Sequence, residues 1–333
     1  MRSFLLATLA FAIVPLAHAQ PFAYVSNQVA NSISVVNLRD NRVSATISIG
    51  FHPSGLAVSP DGLRLYVTNT GSNTVAVFNT SNNSLFTNLG LGQQLPVAVA
   101  FLPNGQRAYV ANSGNASVSV LNPANFSLLA NVRVGFGPIS MAVSADSTRI
   151  YVANSASDSV TVINAATNAV VATIPVGSTP VSISLSPDGK LAYVANQGSR
   201  TLTEIDLAAN RVTTTTSLPV APAALAIASD GKGYVTSHGA STLTLVDPAG
   251  AKVTGGVDLP PCANPRCSTL GVAASADGKF VYLADSSANR FGVMEAATKQ
   301  ITWIDVGQGP RVIALSPPPP AGNVDILTAG GNE

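Results

Sequence analysis

Six loop side chains in this sequence have the chemistry to hold an anion or to move a proton: His52, Arg200, His238, Arg266, Arg290 and Arg311. A guanidinium presents a planar fork of donors that matches a carboxylate or a phosphate. An imidazole changes its charge near neutral pH. Arg266, Arg290 and Arg311 are therefore the candidates for gripping an anion, and His52 and His238 those for acid-base exchange, against the plainer alternative of polar surface. Asp158, Asp258 and Asp285 are expected at the same end of the molecule, where they dilute the positive field. No Gly-x-Ser-x-Gly elbow, glycine-rich phosphate loop before a helix, zinc spacing or EF-hand spacing is present. The sequence thus calls for no cofactor and no metal.

The first 20 residues read "MRSFLLATLAFAIVPLAHAQ". A basic start, an apolar stretch and Ala17-His18-Ala19 make residues 1–19 a secretory signal peptide, with an uncleaved anchor as the alternative. Export places the remainder, 20–333, in a periplasm, at a cell surface or outside the cell. Two cysteines, Cys262 and Cys267 in "PCANPRC", are then expected to form a local disulfide. Charged residues make up 10% of the 333 residues and the net charge is +1, which announces no general nucleic-acid surface.

All seven tyrosines fall in copies of one string: "FAYVSN", "RLYVTN", "RAYVAN", "RIYVAN", "LAYVAN", "KGYVTS" and "FVYLAD". Their spacings are 42, 43, 42, 42, 41 and 48 residues, the period of one four-stranded propeller blade. In the second copy, the sequence predicts an inner strand over Leu56–Ser59, the tyrosine strand, a third strand over Thr74–Phe78 and an outer strand over Leu85–Leu91. Asp61-Gly62 accepts the positive φ of the first hairpin, and it recurs as Asn104-Gly105, Asp188-Gly189, Asp230-Gly231 and Asp277-Gly278, weakening to Asp146-Ser147. These aspartates are turn residues, and Asp61 with Arg64, Asp146 with Arg149 and Asp188 with Lys190 are expected as solvated charge pairs.

The tyrosine ring is expected between blades with its hydroxyl paired at the edge, and the following asparagine is expected to cap the turn through its amide. The architecture implied is an all-β, seven-bladed propeller of four-stranded antiparallel blades, a single domain over 20–333. Its ring is expected to close by pairing Phe22–Asn27 with a C-terminal inner strand over Arg311–Ser316, while Val324–Thr328 competes for that position. The loops entering the inner strands and those between second and third strands share one end of such a ring. They carry the six cationic candidates and the insertion "DLPPCANPRCSTL".

Tyr-Val-Thr/Ala/Ser-Asn preceded by Ser-Pro-Asp-Gly at this period resembles the YVTN-repeat (YncE-like) family of seven-bladed β-propellers, over about residues 21–328. The resemblance implies exported or surface proteins that bind varied ligands, one periplasmic member being associated with single-stranded DNA. Related propellers include lactonase-like enzymes and the haem d1 and copper domains of denitrification enzymes. Two histidines in the exported part cannot build the multi-histidine sites of the latter. With the tyrosines in the core and Trp303 on an outer strand, no base-stacking aromatics are expected. The reading is a non-catalytic, monomeric module that binds a protein or a small anionic ligand, with a lactonase-like hydrolase and a nucleic-acid binder as alternatives. Convergence of His52, Arg311 and Asp285 at the channel mouth would favour the hydrolase.

Overall fold

Asp-Gly pairs and alternating apolar runs fold locally into hairpins, and a computed structural model, which describes residues 22–260 and 269–317, shows how these stack. The described residues form seven four-stranded antiparallel sheets. Among the described residues the one helical turn is the short 3-10 segment Ser113–Asn115.

The second blade is representative, with strands Pro53–Val58, Arg64–Asn69, Thr74–Asn79 and Leu85–Gly90 running from the axis outward. Gly62 takes φ 75° in the first hairpin, and the Asp61 carboxylate accepts from the Ser59 hydroxyl at 2.5 Å and the Leu63 amide at 3.0 Å. The aspartates are turn residues, as expected. In the fourth blade Ser147 holds the same left-handed position at φ 61° without the freedom of glycine. Of the expected charge pairs, Asp188–Lys190 forms at 3.6 Å. Arg64 does not pair with Asp61: its guanidinium donates to Asn79 and lies 4.3 Å over the Phe86 ring. Arg149 does not pair with Asp146, whose carboxylate accepts instead from Ser144 and Thr148.

Because strand side chains alternate between faces, each blade buries two apolar faces, one against each neighbour. Seven apolar clusters result, each shared by consecutive blades and each containing one repeat tyrosine. In one, Tyr24, Ile33, Val35 and Ile47 of the first blade meet Leu56, Leu65, Val67 and Phe78 of the second. Each such aliphatic contributes about 1.5–3 kcal/mol on burial. The tyrosine hydroxyl departs from expectation at Tyr66, where it is buried without a partner, and burial pushes its pKa up to about 12.

The motif asparagine also departs. Asn112, Asn154 and Asn196 are fully buried, and their amides reach sideways to hydroxyls of the third strand: Ser119 at 2.9 Å, Thr161 at 2.9 Å and Thr203 at 2.8 Å. The turn after Asn69 or Asn154 is closed by its backbone carbonyl, which accepts from Ser72 or Ser157. Sequence position alone could not separate these two uses of one residue.

Ring closure pairs Phe22–Asn27 with Pro310–Leu315 in the sheet that also holds Ser32–Asn37 and Arg42–Ser48. The N-terminal strand therefore takes the closing position. The competing Val324–Thr328, the signal peptide, Arg266 and the Cys262–Cys267 pair lie outside the described residues.

Candidate functional site

Every inner strand opens with the same irregularity. The first residue, a proline in six blades and Thr269 in the seventh, lies opposite the motif residue of the tyrosine strand, and the ladder then slips before regular pairing resumes. Proline suits a strand's first residue because it has no N–H to donate. A β-bulge bends the chain and re-aims the side chain left out of the ladder. In two blades a hydroxyl of the tyrosine strand satisfies the freed amide: Thr68 accepts from Gly55 at 2.7 Å, and Ser26 from Val312 at 3.1 Å.

The residue after each first position is thereby aimed at the mouth of the central channel. Going round the ring from the second blade, these residues are Ser54, Val97, Ile139, Val181, Ala223, Leu270 and Arg311, and all seven line a central cavity of about 510 Å³. Six are small or apolar, so one guanidinium stands in an otherwise uncharged collar. A second set, the residue following the motif asparagine or its replacement, adds Gln28, Thr70, Gln197 and His238 to the lining.

Arg311 is half-buried, and desolvation pushes its pKa down from the ordinary value. It stays protonated all the same. One of its terminal nitrogens donates to Gln28 Oε1 at 3.1 Å. None of the ion pairs among the described residues engages it. His238 remains exposed while lining the same mouth; partial desolvation, and secondly the Arg311 charge, lower its pKa from 6.5. The mouth thus holds a cation with spare donors beside an imidazole kept neutral.

The other sequence candidates are elsewhere. His52 is an exposed loop residue at φ 54°, and its backbone amide donates to Asn31 at 2.9 Å. Arg200 is exposed in a tight turn at φ 55°. Neither lines the cavity. Arg290 is committed to Asp285, with Nε and Nη2 both 2.9 Å from Oδ2, and its guanidinium stacks 4.3 Å from the Trp303 ring. Asp158, expected to dilute the field, accepts from the Thr179 amide at 2.7 Å and so ties one blade to the next. The constellation of His52, Arg311 and Asp285 is not assembled.

Of the six candidates from the sequence, Arg311 and His238 line this cavity, while the collar and the glutamines were not anticipated. The available signal was register: the residue after the inner-strand proline and the residue after the motif asparagine recur in every repeat. It also missed two exposed aromatics at this end, Phe51 and Phe136, in the loops entering the second and fourth blades. Another hollow of about 550 Å³ is lined by Arg133, Asp158 and Val170 between neighbouring blades, but there the repeat does not converge. Among the described residues, no group of three or more His, Cys, Asp or Glu side chains is placed to hold a metal ion. Nor is any helix there long and apolar enough to cross a membrane.

Comparison with known proteins agrees with this architecture. The family model for YNCE-like β-propellers matches residues 87–197, and that for the seven-bladed β-propeller lactonases matches residues 7–100. No curated protein sequence matches the chain. Among solved structures, a Kuenenia stuttgartiensis hydrazine synthase superposes with TM-score 0.74 at 21% identity, over 83% of this chain and 93% of that one. A functionally unknown protein from Desulfotomaculum acetoxidans gives TM-score 0.76 at 16% identity, over 89% and 99% of the two chains. The dihydro-heme d1 dehydrogenase NirN gives 0.68 at 13% identity, over 91% and 77%. At such identities these structures share a fold. Repeat, blade count and strand order together make this chain a seven-bladed β-propeller, similar over residues 87–197 to the YNCE-like propellers.

Proposed function

We propose that this chain is an exported, non-catalytic β-propeller that binds a small anionic ligand at the mouth of its central channel. The observation that carries the proposal is Arg311, the single guanidinium in a collar of seven convergent residues, held by Gln28 and engaged by no ion pair among the described residues. A half-buried cation costs desolvation energy, and an anion placed against it recovers charge-assisted hydrogen bonds worth about 1.5–3 kcal/mol each. Export rests on the leader-like residues 1–19. Against the hydrolase alternative, Asp285 is held by Arg290 and His52 lies outside the cavity.

Calorimetric titration of the mature chain with acetate and with inorganic phosphate tests this. Binding of at least one is expected, weakened tenfold or more in R311Q and unchanged in R200Q, with circular dichroism confirming that both variants fold. Equal binding by wild type and R311Q, or no binding of either anion, would overturn it. A single-stranded oligonucleotide titrated at two salt concentrations addresses the third reading, which requires a salt-sensitive affinity.

A further inference from the structure

The collar says more about the ligand than its charge. In a seven-membered ring, the positions across from the first blade, which carries Arg311, belong to the fourth and fifth blades. Those positions hold Ile139 and Val181, both half-buried and both lining the cavity, with Met141 beside them in the lining. The volume of about 510 Å³ far exceeds a bare carboxylate, so an anion seated on Arg311 leaves most of the cavity for whatever it is attached to. Aliphatic side chains facing that space gain only from apolar surface. A second anionic group reaching across the mouth would be desolvated against isoleucine and valine with no cation to meet it.

Resting on the anion-binding reading above, we infer that the ligand is an amphiphilic monocarboxylate: its carboxylate sits on Arg311 and Gln28, and its aliphatic part lies across the channel mouth on Ile139 and Val181. The cation and the apolar wall come from blades on opposite sides of the ring, so the two ends of the ligand are read by independent residues. Dicarboxylates and bare inorganic anions are selected against by the same wall. Exposed Phe136, on the loop entering the fourth blade, extends apolar surface outward on that side of the ring.

The test is a calorimetric series on the mature chain with acetate, butanoate, hexanoate and octanoate, together with adipate and hexan-1-ol. Affinity is expected to rise about fourfold per methylene until the collar is filled. Adipate should bind at least tenfold more weakly than hexanoate, and I139S/V181S should flatten the series while leaving acetate binding in place. R311Q should reduce hexanoate to the affinity of hexan-1-ol. Because I139S/V181S and R311Q act at different places, a folding defect in one does not silence the other. Binding of acetate and octanoate with equal, Arg311-dependent affinity would overturn this inference and leave the anion reading standing. No binding of any carboxylate would overturn both.

Discussion

Asp285 stands where five other blades carry a buried asparagine, and the change in one atom alters its whole set of contacts. The carboxylate accepts from the Ser287 and Ala288 amides at 3.1 and 3.2 Å, capping the turn that the asparagines leave to their backbone, and it pairs with Arg290. Arg290 replaces the serine or threonine that meets the asparagine elsewhere, as Ser159 meets Asn154. The two departures therefore compensate each other. D285N alone is expected to destabilise the chain by about 3 kcal/mol, since it strands a mostly buried guanidinium. D285N/R290S, which restores the pattern of the other blades, should recover most of that loss in chemical denaturation. Equal stability of D285N and wild type would contradict the pairing.

His238 carries the pH dependence at the same scale. Desolvation and then the Arg311 charge lower its pKa from 6.5, so the unfolded chain takes up the proton first. The stability due to the neutral imidazole is complete above pH 6.5 and is lost as pH falls through the lowered folded value. An anion on Arg311 removes the charge that opposes protonation. Anion affinity should therefore rise as pH falls from 7 to 5, and this slope should vanish in H238Q but persist in H52Q. Calorimetry at the two pH values decides it.

The bulged start of the inner strand connects sequence to site at the scale of the element. Its geometry depends on glycine where neighbouring inner strands touch. A Cβ on Gly271 would lie 2.2 Å from the Arg311 carbonyl oxygen, and one on Gly55 would lie 2.6 Å from the Ala98 Cα. Both clash with backbone, so G271A and G55A should each lower stability by about 1–3 kcal/mol. Only G271A pushes directly on the strand bearing Arg311, and only it should also weaken anion binding, in a titration of both variants. The strands themselves were legible in the sequence because Tyr-Val-x-Asn and Asp-Gly state a local rule that each blade obeys. The bulge was not, because slippage at Pro53 is a relation between two strands: the strand begins at Pro53 rather than at Leu56. Arg290 was misread for a related reason, since its partner Asp285 lies across a hairpin while sequence reading weighed both as separate loop charges.

At the scale of the molecule, one strand both closes the ring and supplies its cation. Pro310–Leu315 pairs with Phe22–Asn27, and its side chains enter two interblade clusters: Ala314 joins Tyr24 and Ile33, while Ile313 and Leu315 pack with Val25 and Tyr282. Removing it leaves Phe22–Asn27 as an unpaired edge, a template for pairing with other chains. It also opens two apolar contacts, each lost aliphatic costing about 1.5–3 kcal/mol, against a typical net stability of about 5–15 kcal/mol. A chain ending at Gly309 is therefore expected to associate or unfold, seen as a loss of the intact chain's peak in light scattering after gel filtration. A synthetic peptide of residues 310–317 added in trans should restore the intact chain's elution by strand addition. The same peptide carrying R311Q should restore the fold but not anion binding, because closure uses the strand's backbone and aliphatic side chains while the anion uses one guanidinium. If the shortened chain melts like the intact one, the closing strand is dispensable. If both peptides restore binding equally, Arg311 is not the anion's partner.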